Sequence, residues 1–243
     1  MKFSTNRFLF GSSIVIARRL DEVVIGADSL QVGTDLAKAG TVCKILQIGN
    51  VFFANAGIQG NPTLGLSVHE KVREVAATSK TANEMHRKLP SVVNPMLFKA
   101  IQDTKNRYPE FYKSRIENRA VLSYAFIGIE NGQIIIPFMN AIVTPNEDAQ
   151  MGFQIEFKGR DDLKPTGDKV QTLIFGYQNA IREELAENPD LWDKGLVKAV
   201  RRLIETQIER TPEMVGPPIA ILYIKGGSAR WEHQAHCKKI QKL

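Results

Sequence analysis

The order in which apolar periodicity changes along this chain leaves few architectures open. Alternating, β-branched runs come first and helical spacing second. Alternation returns, helical spacing follows again, and one last apolar run comes near the end. Elements segregated into blocks in this way build α+β domains, whereas a parallel sheet needs strands and helices to alternate. The first sixty residues read as two hairpins. Ser13–Arg18 and Val23–Asp28 flank a turn at Leu20–Glu22, and Cys43–Ile48 and Val51–Ala56 flank Gly49-Asn50. Glycine at the first turn position suits a two-residue type II′ connection. Ser29–Thr41, polar and glycine-containing, reads as a loop or a ragged strand.

Asn61 before Pro62 predicts a helix start, the asparagine capping and the proline filling the first helical position. Leu64, Val68, Val72 and Val75 extend that stripe to about Thr78. Thr81 with Glu84 predicts a capping box for a second helix. Pro90 and Pro95 are expected to break it before a further helical stretch at Met96–Arg107. Strands are expected at Ala120–Glu130, Gln133–Val143 and Met151–Phe157, then a charged loop at Gly159–Asp168 and a strand at Val170–Phe175. Helices at Gly176–Glu187 and Asp190–Glu209 precede a final strand at Ile219–Lys225. Two antiparallel sheets packed face to face, with helices outside both, would bury every one of these stripes. The expected fold is therefore a four-layer αββα sandwich, and no linker or composition shift divides it into two domains.

The net charge is +6, from 32 Lys and Arg against 26 Asp and Glu. One denser basic stretch spans Arg87–Arg119, and Lys238, Lys239 and Lys242 crowd the tail. A nucleic-acid reader would be more lopsided and would interleave aromatics with its cations, so these charges read as solvated faces and no nucleic-acid partner is expected. His233, His236 and Cys237 could hold a metal, but no other ligand cluster supports them; they read as a solvated tail, and no metal or cofactor is expected. Cys43 reads as a small core residue and Cys237 as a tail thiol, usage that fits a reducing compartment. Phe8–Ala17 has the look of a signal-peptide apolar segment, but Arg18 and Arg19 follow at once and a cut after Ala17 would remove the first strand. No run reaches the roughly 18 apolar residues that span a bilayer. The expected location is the cytoplasm, away from membranes.

Phosphate loops, nucleophile elbows, helical His-Glu-x-x-His and paired Cys-x-x-Cys motifs are missing from the sequence. What remains is an N-terminal pattern. Gly11 and Ser12 precede the first strand, Asp28 closes the second, Lys44 opens the third and Gly57 closes the fourth. Asp28 lies 16 residues after Ser12, and Lys44 lies 32 after it. Over residues 11–60 this resembles the proteasome β-subunit family of N-terminal-nucleophile hydrolases, including its simpler bacterial members; beyond that, element order agrees and motifs fade.

The resemblance implies a leader, Met1–Gly11, removed by self-cleavage so that Ser12 becomes both nucleophile and, through its α-amine, base. A free α-amine with a reference pKa of roughly 8 suits a proton acceptor near neutral pH. Lys44 would lower that amine's pKa and stabilise charge on the hydroxyl oxygen, Asp28 would position Lys44, and the Gly57 N–H would face the oxyanion. Each residue also has an ordinary role available: Ser12 preceding a strand, Asp28 capping a turn, Lys44 snorkelling from an edge strand, Gly57 ending a hairpin.

Implied beside the nucleophile are a peptide or protein substrate, a homo-oligomeric ring that encloses the sites, and an ATPase partner. The remaining 12–243 would form the single hydrolase domain. This chain departs from the family pattern in three places. Serine stands where peptidase members use threonine. Gly176-Tyr177 stands where a Gly-Ser pair supports the α-amine. The loop before the last strand reads Glu209–Glu213, where active members carry an Arg-Asp-x-x-Ser-type sequence. Walls of the first specificity pocket would fall near Gln31, Val42 and Asn55. A catalytically silent protein of the same fold, acting in assembly or binding, is the rival reading.

Overall fold

A computed structural model describes residues 9–10, 12–33, 37–61, 66–160, 163–164 and 167–239. The N-terminal half contains β1 (Leu9–Phe10), β2 (Ser13–Arg19), β3 (Glu22–Ala27), β4 (Leu30–Gly33), β5 (Lys38–Thr41), β6 (Ile45–Ile48), β7 (Val51–Gly57), β8 (Gly60–Asn61) and β9 (Leu66–Ser67). Helices α1 (Val68–Ala76), α2 (Ala82–Arg107) and α3 (Pro109–Arg115) follow. The second β block holds β10 (Ala120–Glu130), β11 (Gln133–Ile135), β12 (Phe138–Pro145), β13 (Phe153–Arg160) and β14 (Gln171–Gly176). Helices α4 (Asn179–Glu187) and α5 (Leu196–Arg210) then lead to β15 (Ala220–Lys225) and β16 (Ser228–His233).

The expected α+β class with antiparallel sheets is what forms. One sheet runs β14-β2-β3-β15-β16 and another β13-β12-β10-β7-β6, with β11 paired to β10. Successive strand residues point to opposite faces, and here both faces of each sheet are apolar. Ile14, Ile16 and Ile25 meet Phe52, Ala54 and Ile127 in the space between the sheets. Phe53, Tyr124 and Phe126 point the other way, onto Val72, Leu89 and Leu97 of α1 and α2. Val15, Ala17 and Val24 likewise turn outward onto Val200, Leu203 and Ile204 of α5. A smaller sheet, β5-β4-β1-β8-β9, joins the ends of these strands.

Three expectations need correction. Helix α2 continues unbroken through Pro90 and Pro95. A helix-interior proline costs about 3 kcal/mol, but Met85, Leu89, Val93, Met96, Leu97 and Ile101 bury one continuous stripe. Each such side chain contributes roughly 1.5–3 kcal/mol, so tertiary packing outweighs the local penalty while Pro95 faces solvent. Thr81 does cap α2, its hydroxyl accepting from the Glu84 N–H at 3.2 Å, and the Glu84 carboxylate reaches back to the Lys80 N–H at 2.8 Å, with the Thr81 backbone also acting on it. The helix expected after Asn61 does not run through Leu66–Ser67, which form β9. Asn61 closes β8, and α1 starts at Val68 behind Ser67; the expected helix start at Pro62 and Leu64 lies outside the described residues.

The third correction concerns the tail. Gly226 and Gly227 both take positive φ, at 54° and 82°, which lets the chain reverse tightly and lay β16 against β15. Ala229 and Trp231 then pack on the inter-sheet core. Cys237 is buried there and forms a disulfide with Cys43, 194 residues away. The two cysteines are thus one cross-link rather than a core residue and a separate tail thiol, and Cys237 is removed from any metal site with His233 and His236. Among the described residues no helix is long and apolar enough to cross a membrane.

Candidate active site

Register places Ser12 at one end of the β14-β2-β3-β15-β16 sheet. Ile14 pairs with Ala27 and Gly176 pairs with Ser13, so the residues just before β2, just after β3 and at the end of β14 converge. Asp28, the first residue beyond β3, is the hub. Its Oδ1 accepts the Ser13 N–H at 2.7 Å and the Lys44 ammonium at 2.7 Å; its Oδ2 accepts the N–H groups of Leu30 at 3.1 Å and Gly216 at 3.2 Å. The Lys44 Nζ also donates to the Leu30 carbonyl at 2.8 Å. Neither side chain of the Asp28–Lys44 pair is exposed. Lys44 sits at the head of β6, an edge strand, yet it points between the sheets and does not snorkel to solvent. Burial pushes its pKa down, and the Asp28 carboxylate opposes that shift.

Ser12 is also buried and lines, with Gly57, a cavity of roughly 700 Å³. Gly57 has φ +97°, and a Cβ there would lie 2.2 Å from the Val121 carbonyl oxygen, so only glycine fits this turn out of β7. Gly176 at φ +75° is under the same constraint, for its Cβ would fall 2.1 Å from the Ser12 carbonyl oxygen. That close approach lets Tyr177 hold the Ser12–Ser13 segment through its backbone. Its N–H donates to the Ser12 carbonyl at 2.9 Å, and its carbonyl accepts from the Ser13 hydroxyl at 2.8 Å. Tyr177 therefore supports the start of β2 through main-chain groups.

The four sequence-predicted residues are brought to one place in two layers: Ser12 and Gly57 on the cavity wall, Asp28 and Lys44 packed out of solvent at the start of β2. The Glu209–Glu213 loop contributes differently from what its sequence suggested. Glu209 lies on the surface of α5 within 4.0 Å of Arg202. The contact with Asp28 comes from beyond that stretch, from the Gly216 N–H, while the Gly216 carbonyl accepts from the Ser29 N–H at 3.0 Å. Ser13, Gly216 and the Tyr177 backbone were missed in the sequence, since each of their contacts uses a main-chain N–H or carbonyl of the kind that every residue carries. The Gly-Pro-Pro run at 216–218 was the one available signal of a sharply turned segment.

Gln31, Val42 and Asn55 do not line the cavity beside Ser12. Asn55 is fully buried; its amide donates to the Gln59 side chain at 3.1 Å and its carbonyl oxygen lies 3.3 Å from His69 Nε2. This network ties α1 to the end of β7, next to Gly57. Burial, aided by the nearby Arg73 cation, holds the His69 pKa down at about 4 against an ordinary 6.5. Between pH 6.5 and 4 the unfolded chain takes up a proton that the folded chain refuses, so stability falls on acidification through that window. His69 accounts for about 2–3 kcal/mol of that loss. Urea midpoints measured from pH 7 to pH 4 are expected to drop steeply for the wild type and less for His69→Gln.

Of the leader, only Leu9–Phe10 is described. Leu9 pairs antiparallel with Gly33 of β4 and with Gly60 of β8, and Phe10 pairs with Val32. Leu9–Phe10 is thus the middle strand of the small sheet, between β4 and β8. No protein-family model matches this chain, and no curated protein matches it in sequence.

Proposed function

We propose that this chain is a self-processing hydrolase of peptide or other amide bonds, of the proteasome-like N-terminal-nucleophile type with its αββα sandwich, and that Ser12 is the nucleophile. The observation that carries this reading is the Asp28 carboxylate. A single buried oxygen joins the main chain beside Ser12 to a lysine ammonium, and burying such a pair costs several kcal/mol unless its lone pairs and protons are satisfied. Here each carboxylate oxygen accepts two bonds and the ammonium donates two, one residue away from the wall of the Ser12 cavity. Buried, strongly perturbed lysines concentrate at functional sites.

In the first step the Ser12 hydroxyl attacks the Gly11 carbonyl carbon and the acyl group passes from nitrogen to oxygen. Water then hydrolyses the resulting ester, leaving a Gly11 carboxylate and a free Ser12 α-amine. In later turnovers that amine accepts the hydroxyl proton as the oxygen attacks a substrate carbonyl. Lys44, held beside Asp28, lowers the amine's proton affinity and stabilises negative charge on the hydroxyl oxygen. The Gly57 N–H takes the developing oxyanion. The groove between β4 and β8 that holds the leader would then take the acyl side of a substrate as an added strand. A ring of identical chains with an ATPase partner completes the reading; the Cys43–Cys237 disulfide counts against the reducing cytoplasm expected from the cysteine usage.

One observation favours the silent alternative: the leader is paired on both sides, an arrangement that could retain it. Intact mass and N-terminal sequencing of wild type and Ser12→Ala decide between them. A wild-type chain beginning at Ser12, beside a mutant that keeps Met1–Gly11, is the expected result. A leader retained in both would remove the hydrolase reading.

A further inference from the structure

The cavity that Ser12 shares with Gly57 is charged in one sense only. Arg115 at the end of α3, Arg119 before β10 and Arg182 in α4 all line it, and among the described residues no aspartate or glutamate does. All three side chains are exposed. Arg182 is turned by the Gln178 side-chain oxygen, which accepts from its Nε at 3.2 Å and its Nη2 at 3.0 Å. Arg115 and Arg119 make no ion pair with another described residue. Their field reaches Tyr177 at the cavity wall, where burial raises the phenol pKa and both cations oppose that shift while Glu213 adds to it. The leader strand leaves Ser12 in the other direction, toward β4 and β8, and neither of those strands lines this cavity.

From this geometry we propose that the arginine-walled cavity is the leaving-group subsite of the Ser12 centre and that it selects peptide segments bearing carboxylates. The assignment of sides rests on Ser12 being the nucleophile. If the acyl half of a substrate follows the leader between β4 and β8, the amine half must leave through the opposite opening, which is the cavity. Guanidinium groups bind carboxylates with paired N–H donors. Three unpaired cations at one opening also draw anionic chains in from solution, an effect that salt weakens.

The test is fluorescence anisotropy with fluorescein-labelled tetraglutamate and tetraglutamine, read at low and high salt. Wild type is expected to bind tetraglutamate about tenfold more tightly at low salt. The preference is expected to disappear in Arg115→Gln/Arg119→Gln/Arg182→Gln, whose exposed positions leave the core untouched. Equal binding of the two peptides, or a preference that survives the triple substitution, overturns the assignment. So does tighter, arginine-dependent binding of labelled oligothymidylate, which would mark the cavity as a phosphate-backbone site. Because binding is read without turnover, it fails separately from the nucleophile. A chain that keeps its leader yet discriminates tetraglutamate retains an acidic-peptide site and loses only the role of Ser12.

Discussion

Asp28→Ala is expected to destabilise the chain by about 3–5 kcal/mol, because it leaves a buried ammonium without its counter-charge. Lys44 would keep one acceptor, the Leu30 carbonyl, while the N–H groups of Ser13, Leu30 and Gly216 would all lose theirs. Each orphaned buried donor costs a further 1–3 kcal/mol or so where water cannot reach it. The urea midpoint should fall by about 1–2 M. Lys44→Met is expected to behave differently. The Asp28 carboxylate would still accept three backbone N–H bonds, an arrangement that stabilises a carboxylate strongly, and methionine fills most of the vacated volume. That variant should remain folded, with a loss of about 1–3 kcal/mol, yet self-cleavage should slow by a factor on the order of 10²–10³. Urea titration and a mass-spectrometric time course, run on both variants, separate the two roles. A Lys44→Met chain that sheds its leader at the wild-type rate would make the pair purely structural.

Removing the Cys43–Cys237 bond is expected to have the next largest effect. It closes a loop of 194 residues, and chain-entropy reasoning puts the stabilisation from a loop of that length at up to about 5 kcal/mol, with about 2–4 kcal/mol typical of disulfides. Reduction, or Cys43→Ala with Cys237→Ala, should therefore lower the melting temperature by about 5–15 °C. The bond also bears on the site, for Cys43 immediately precedes Lys44 and anchors the head of β6 to the tail that follows β16. Disulfides persist in oxidising surroundings, so the compartment follows from the same test. Alkylation of the native protein before and after reductant reads the bond directly, and two thiols reactive without reductant would show that it does not form.

The sequence by itself determined the parts whose cause is local. Alternation and turn residues were enough for β2, β3, β6 and β7, because a half-buried strand needs period two and a hairpin needs a reversing residue. Since a hairpin places its own ends together, the nearness of Ser12 and Asp28 was legible too, whereas Lys44, on another hairpin, was named from the family spacing alone. Each stands at the end of a strand whose length the pattern sets. Tertiary structure alone decided three things. It kept α2 continuous across Pro90 and Pro95, because the buried stripe contributes more than the prolines cost. It drew the tail into β16 and joined Cys237 to Cys43, a contact between residues too far apart for local signals to register. It also supplied the backbone groups of Gly216 and Tyr177 that hold Asp28 and Ser12. A main-chain N–H or carbonyl has no signature in a one-dimensional sequence, and only the convergence of β14, the loop before β15 and the start of β2 makes those groups part of a site.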